Sequence, residues 1–240
     1  MNIKQMIRRV CRRIGYDVVR YEPTFHPDAR RRALFESFKI DTVLDVGANT
    51  GQYGKYLRNV IGYKGRIISF EPLSSAYSEL RRTAIADGSW KAINNALGNK
   101  NGRIQINIAG NSLSSSALEM LPSHLKAAPE SKYIGKEDIE VITLDSVFKD
   151  ICSTKQSILL KIDTQGYERF VIEGATNSLP FIATIELEMS LVPLYQGEML
   201  FNEMYEGLYR RDYRMVSIEA EFSDNRTGQV LQVDSIFHRF

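Results

Sequence analysis

From Thr42 onward, short continuous apolar runs alternate with stretches whose apolar residues recur at helical spacing. The runs at 43–46, 67–70 and 157–162 are short and end in Asp, Glu or Gly, which predicts strands buried on both faces. A helical stripe follows each: Tyr53, Tyr56, Leu57, Val60 and Ile61 after the first, then Leu73, Ala76, Tyr77, Leu80 and Ala84, then Tyr167, Phe170 and Val171. The pattern predicts a third strand over 91–97, further strands over 103–108 and 139–144 forming an extra hairpin, and another over 183–189. Leu200, Phe201, Met204, Tyr205, Leu208 and Tyr209 mark an amphipathic helix. The last two strands, 214–218 and 229–237, are joined by Asp224-Asn225-Arg226-Thr227-Gly228. Parallel strands need a long crossover, so this pair is expected to be antiparallel. The alternation predicts an α/β fold with a mostly parallel sheet, a C-terminal antiparallel hairpin and helices on both faces. One domain is expected over 41–240, preceded by a basic helical extension over 1–40. Residues 110–135 are Ser-rich and broken by Pro122 and Pro129. A binding lid and an idle surface excursion are equally open there.

Ile3, Met6, Ile7, Val10 and Ile14 repeat at helical spacing, with arginines on the opposite side. Such a helix suits the surface of an anionic membrane. The favoured expectation is a helix packed on the domain with its basic face in water. Residues 1–20 carry a local charge of +5 within a chain whose net charge is +2. That net charge is too small to indicate a nucleic-acid partner, and none is expected. Arg30, Arg31 and Arg32 read as a solvated helix face. Cys11 and Cys152 have no paired spacing, which excludes a disulfide framework and a thiolate zinc site and suits a reducing cytoplasm. No run reaches the roughly 18 apolar residues of a spanning helix, and the N-terminus lacks the apolar core of a signal peptide. The expected location is therefore the cytoplasm, with peripheral contact of residues 1–20 on the inner membrane face left open.

Residues 42–51 read Thr-Val-Leu-Asp-Val-Gly-Ala-Asn-Thr-Gly, and the second strand ends in Phe70-Glu71-Pro72. A tight glycine turn after the first strand, with an acid ending the second, is how doubly wound sheets hold a nucleotide-like ligand. Charge decides which ligand. A dinucleotide brings a pyrophosphate, which an acid such as Asp45 repels. S-adenosylmethionine brings an ammonium and a sulfonium, which the same acid attracts. The spacing D-x-G-x-x-x-G, rather than G-x-G-x-x-G, therefore points to S-adenosylmethionine. A dinucleotide and a ligand-free strand-turn-helix are the weaker alternatives.

Ligands in such sheets bind beyond the carboxyl ends of the strands, where Asp45, Glu71, Asp163 and Glu188 fall. Methyl transfer from a sulfonium is an in-line displacement, so holding the nucleophile near the methyl is the main task. A hydroxyl acceptor also has to lose its proton, and a positioned base helps. Asp163 and Glu188 are the candidates, with His124 a weaker one. His26 and His238 read as structural or surface residues. Glu168 reads equally well as stabilising a helix N-terminus. Asp163, Glu188 and Asp234 together offer oxygen ligands suited to Mg²⁺, but a required metal is not the favoured reading.

Asp45-Val46-Gly47-Ala48-Asn49-Thr50-Gly51, Phe70-Glu71-Pro72, Asn95-Ala96-Leu97, Thr143-Leu144-Asp145 and Lys161-Ile162-Asp163 with Gly166-Tyr167-Glu168 resemble the FkbM family of S-adenosylmethionine-dependent methyltransferases. Glu188-Met189-Ser190 with Leu194-Tyr195-Gln196-Gly197, and residues 232–237, extend the resemblance over about 42–238. It implies a class I, Rossmann-like methyltransferase fold and O-methylation, commonly of sugar hydroxyls in surface polysaccharides or of natural-product hydroxyls. By position it implies that Asp45, Gly47, Asn49 and Gly51 surround the methionine part, and that Glu71 holds the ribose. Pro72 would shape the adenosine pocket, Asn95 and Ala96 would border the adenine, and Asp163 would face the methyl. Gln165 departs from the family, which often has Glu there. The leading expectation is methylation of a glycan or lipid-linked sugar. A small secondary metabolite is the alternative acceptor, for which residues 191–195 offer an apolar lining, although an aromatic there suits a sugar ring equally. A non-catalytic binding module and a nicotinamide-dependent oxidoreductase are the readings from other classes.

Overall fold

The computed structural model describes residues 3–240, with the side chain of Ile3, the first position of the N-terminal stripe, outside the described residues. Ten strands are present among them: β1 (Thr42–Val46), β2 (Arg66–Phe70), β3 (Trp90–Ile93), β4 (Ala96–Leu97), β5 (Gly102–Ala109), β6 (Tyr133–Ile142), β7 (Ile158–Ile162), β8 (Thr184–Ser190), β9 (Arg214–Asp224) and β10 (Gln229–His238). The helices are α1 (Ile3–Arg13), α2 (Pro27–Ser37), α3 (Gln52–Tyr56), α4 (Ser74–Asp87), α5 (Pro122–Ala127), α6 (Leu144–Ile151), α7 (Glu168–Glu173) and α8 (Phe201–Tyr209). Seven strands form the main sheet in the order β3-β2-β1-β7-β8-β10-β9, and β4-β6-β5 form a second. The main sheet is parallel except for β10, which runs antiparallel between β8 and β9. The alternating pattern thus gives the expected mostly parallel α/β sheet and its antiparallel C-terminal pair.

Both faces are covered. Leu44, Val46, Leu160, Ile162 and Leu187 pack against α6, α7 and α8. Val43, Ile67 and Leu159 pack on the other face with Phe35 of α2, Leu57 after α3, and Leu80 and Ala84 of α4. The sheet order reverses direction of travel at β1, whose neighbours are β2 and β7. That is the switch point beyond which ligands bind in this architecture.

Several boundaries differ from the sequence pattern, each for a local reason. The expected strand over 91–97 is two strands in different sheets. The Asn94 amide donates to the carbonyls of Glu71 and Pro72 at 2.9 and 3.0 Å, which pulls the chain out of β3 before β4 begins. The strand expected over 139–144 starts earlier, at Tyr133, and stops at Ile142, because Thr143 caps α6 by accepting from Ser146 N. Its first half, with Gly135, Lys136 and Glu137 after Tyr133 and Ile134, is largely exposed and shows no strand period. β5 and β6 do pair antiparallel, but the connection between them is the long Ser-rich segment rather than a tight turn.

Arg31 is not on a solvated face. It is 7% exposed and ion-paired with Glu186, which is itself 1% exposed. The apolar stripe of α1 is not packed on the domain as favoured: Met6, Ile7 and Val10 are each about half exposed, and Ile14 more so.

Candidate functional site

The β1–α3 turn is forced into one shape by its neighbours. Gly47 has φ +81°, and a Cβ there would lie 1.8 Å from the Asp163 carbonyl oxygen at the end of β7. Only glycine lets the two strand ends close up in this way. Gly51, at φ +86°, then caps α3 in the left-handed region, against the Trp90 ring. Asn49 is also left-handed, at φ +47°, which turns its backbone N–H toward Glu71 Oε2 at 2.8 Å. The other Glu71 oxygen accepts from Leu73 N at 2.9 Å. Each carboxylate oxygen keeps a lone pair for a further donor. Burial pushes the Glu71 carboxyl up to about 7, against the pull of the two backbone N–H groups.

A cleft opens here, at the carboxyl ends of β1, β2 and β7. Gly47, Asn49, Glu71, Asp163, Thr164 and Gln165 supply its polar edge. Phe70, Leu73, Ala96, Leu97, Ile104, Ile106, Ile139 and Tyr167 give it an apolar end, and Pro72 joins them. Ser112, Leu113, Ser115 and Ala117, from the segment between β5 and β6, close it from above. That segment is therefore a wall of the cleft. Its Ser116 hydroxyl donates to the Gln165 carbonyl at 2.6 Å, and the Asn49 amide donates to Ser112 Oγ at 3.3 Å.

Of the sequence-expected cofactor residues, Gly47, Asn49, Glu71, Pro72 and Ala96 line this cleft together. Asp45, Gly51 and Asn95 do not. Asp45 is fully buried beneath the turn, accepting from Ser69 Oγ at 2.9 Å. Burial raises its carboxyl, while Lys161, its register partner on β7, and the Ser69 bond act the other way. Its effect on a ligand is thus through the turn above it. Gly51 meets Trp90 and Leu80, and Asn95 links β3 to β4.

Asp163 lies at the cleft edge and is about one-third exposed. Its Oδ2 accepts from Lys161 Nζ at 2.9 Å and its Oδ1 from Gln165 Nε2 at 2.8 Å. Burial opposes the Lys161 ammonium, yet Asp163 and Asp45 hold it above its ordinary range. Glu188 is outside the cleft lining but joined to Asp163 through one residue: Gln165 Nε2 also donates to Glu188 Oε2, at 2.7 Å. Burial, then the nearby Asp163 and Asp234 charges, push the Glu188 carboxyl well up. Burial likewise lifts its register partner Asp234 to about 8. The Gln232 amide donates to Glu188 at 3.0 Å.

Gln165, a departure from the family pattern, is thus the bridge of the site. Its amide nitrogen serves two carboxylates, and its oxygen accepts from the Tyr195 hydroxyl at 2.7 Å. It sits at φ +54°, a strained conformation of the kind kept at functional sites. Tyr195 is 1% exposed and packs on His124, so it is not free to stack on a sugar ring. His124 is buried against Ser131 and Phe222, and burial lowers its pKa to about 4. His26 caps α2 and His238 stacks on Phe38. Glu168 turns back to accept from the backbone N–H groups of Thr164 and Gly166, which fixes the β7–α7 turn. Among the described residues, no three His, Cys, Asp or Glu side chains converge as a metal site. No helix among them is long and apolar enough to cross a membrane.

The residues missed in the sequence are Gln165 as a bridge, Lys161, and the walls from Ile104, Ile106 and Ile139, whereas the wall at 112–117 falls in the segment left open between a binding lid and an idle excursion. Lys161 gives one signal, a lone cation inside an apolar run that ends in an acid. The walls give none, because the second sheet carries them back over the cleft.

A methyltransferase FkbM from Methylobacillus flagellatus is similar in structure, with a TM-score of 0.54 at 15% identity over 83% of this chain. This chain spans 44% of that protein's length. An rRNA methylase from Streptococcus thermophilus matches over 90% of this chain and 97% of its own, at 7% identity and a TM-score of 0.48. The Aeropyrum pernix fibrillarin, solved with natively bound S-adenosyl-L-methionine, matches over 82% of this chain and 66% of its own, at 8% identity and a TM-score of 0.47. No curated protein sequence matches the chain. The family model of the methyltransferase FkbM domain matches residues 45–215, well over half of the sequence, and on that match the chain belongs to the FkbM methyltransferase family.

Proposed function

We propose that the protein is an S-adenosylmethionine-dependent O-methyltransferase whose acceptor is a sugar hydroxyl of a glycan or lipid-linked saccharide. The observation that carries the cofactor is one cleft lined by the Gly47 turn, the buried Glu71 carboxyl and Asp163. A pyrophosphate would meet two carboxylates there. A ribose and a cationic methionine end would meet acceptors suited to both. The apolar end between Leu73, Leu97, Ile106 and Ile139 suits an adenine ring.

When bound, the cofactor supplies an electrophilic methyl group. The chain's residues do the rest. The Gly47 turn allows close backbone approach, and Glu71 accepts hydroxyl hydrogens. Asp163, held by Lys161 and Gln165, is aimed to take a proton from an acceptor hydroxyl at the cleft edge. Glu188 holds the far side of Gln165 and so helps to fix Asp163, and it is the second candidate for the base. A small secondary metabolite is the alternative acceptor. Labelled-methyl transfer to nucleotide sugars and polysaccharide fragments tests the reading. Labelling of a small aglycone but no saccharide would select the alternative.

Glu71 gives a separate test. Glu71→Ala is expected to weaken S-adenosylhomocysteine binding by about 10- to 100-fold, the loss of one hydrogen bond to a charged group. In the wild type, affinity should fall as the pH drops through about 7, since the ionised carboxylate is the better acceptor and burial has raised it to that point. The variant should lose this dependence. Calorimetric titration at several pH values measures both, and equal affinity for NAD would refute the cofactor assignment.

A further inference from the structure

The chain's exposed apolar side chains are concentrated at one end. Among the described residues, Met6, Ile7 and Val10 of α1, with Ile14 just after it, form one stripe and are 48–69% exposed. Tyr16, Val18, Val19, Tyr21 and Phe25 continue that exposed apolar run along the chain. A face of this kind is ordinarily covered. The opposite side of α1 carries Arg8, Arg9, Arg12 and Arg13, which line a shared groove with Gln5. Asp17 ties the following chain back to this side, accepting from Arg8 Nε at 2.7 Å and from Arg12 at 3.0 Å.

What covers the stripe follows from charge. Residues 1–20 carry +5 after Asp17 is counted. A second copy would set that charge against its own. A polyanion such as RNA would satisfy the arginines and leave the stripe in water. An anionic bilayer surface satisfies both at once: the acyl boundary takes the apolar face and the headgroups take the arginines. We propose that residues 3–25 dock on an anionic lipid surface, with α1 lying flat at the headgroup boundary. This inference does not depend on the methyl-transfer reading.

Flotation of the full chain with vesicles tests it. The wild type is expected to float with vesicles of phosphatidylcholine and phosphatidylglycerol but not of phosphatidylcholine alone. Ile7→Glu with Val10→Glu keeps every arginine, and glutamine at 8, 9, 12 and 13 keeps the stripe. Each set should cut the bound fraction by at least about tenfold, the glutamines through several lost basic contacts and the glutamates by charging the apolar face. Affinity for S-adenosylhomocysteine should not change, because none of these residues lines the cleft. Wild type that stays soluble with anionic vesicles would overturn the proposal. So would equal flotation of the glutamine variant, or a solution dimer that Ile7→Glu dissociates.

Discussion

Asp163→Asn is expected to lower methyl transfer at saturating donor by about 10²–10⁴-fold, the usual contribution of a positioned base. Affinity for S-adenosylhomocysteine should change far less. The substitution keeps the size of the side chain and one acceptor oxygen, so Lys161 or Gln165 still has a partner. It removes the capacity to take a proton, together with one acceptor oxygen and the charge beside Lys161. Glu188→Gln is expected to be milder. Glu188 lies outside the cleft lining, and the amide keeps the size of the side chain and an acceptor oxygen for Gln165 or Gln232. Single-turnover rates with the labelled donor separate the two. If Glu188→Gln proved the more damaging and Asp163→Asn were silent, Glu188 would be the base and Asp163 an anchor for Lys161.

That pair also marks how far the sequence could be read. Asp163 was legible because it directly follows an apolar strand, and Glu188 because it lies near the carboxyl end of another, where such sheets bind ligands. The turn at Gly47 and the acid at Glu71 were legible for the same reason. What joins Asp163 to Glu188 was not. Gln165 acts by reaching between two strands, and its partners Glu188 and Tyr195 lie 23 and 30 residues further along the chain. No local period encodes such a meeting. Asp45 shows a subtler gap. Its position beside the turn was evident, but strand alternation aims its side chain under the turn, at Ser69, rather than into the cleft. The first half of β6, where Gly135, Lys136 and Glu137 follow Tyr133 and Ile134, shows no strand period, and the wall at 112–117 lies in a Ser-rich segment with no period of its own. Arg31 was misread for the opposite reason. An arginine run on a helix is ordinarily solvated, and only the fold places a buried carboxylate beneath its middle member.

Arg31 carries the other large expectation. Arg31→Ala should cost about 3–5 kcal/mol of folding stability, the usual result of leaving one member of a buried ion pair alone. The guanidinium of Arg31 sits between α2 and β8, donating to Glu186 Oε1 and lying over the rings of Tyr53 and Tyr56. Glu186 Oε2 accepts from the Tyr53 hydroxyl at 2.6 Å. Removing the arginine leaves that carboxylate buried with one neutral donor. Tyr53 lies in the first turn of α3, two residues after the Gly51 cap, so the same change should loosen the helix that follows the Gly47 turn. Some loss of S-adenosylhomocysteine affinity should accompany the loss of stability. Arg31→Met with Glu186→Leu should recover most of the stability, because removing both charges removes the stranded one. It should not recover the Tyr53 anchor, so affinity should lag behind. Urea unfolding of the three variants, each paired with a calorimetric titration, distinguishes the two effects. If Arg31→Ala shifted the unfolding free energy by less than about 1 kcal/mol, as exposed pairs do, the pair would not be the clamp that its burial indicates.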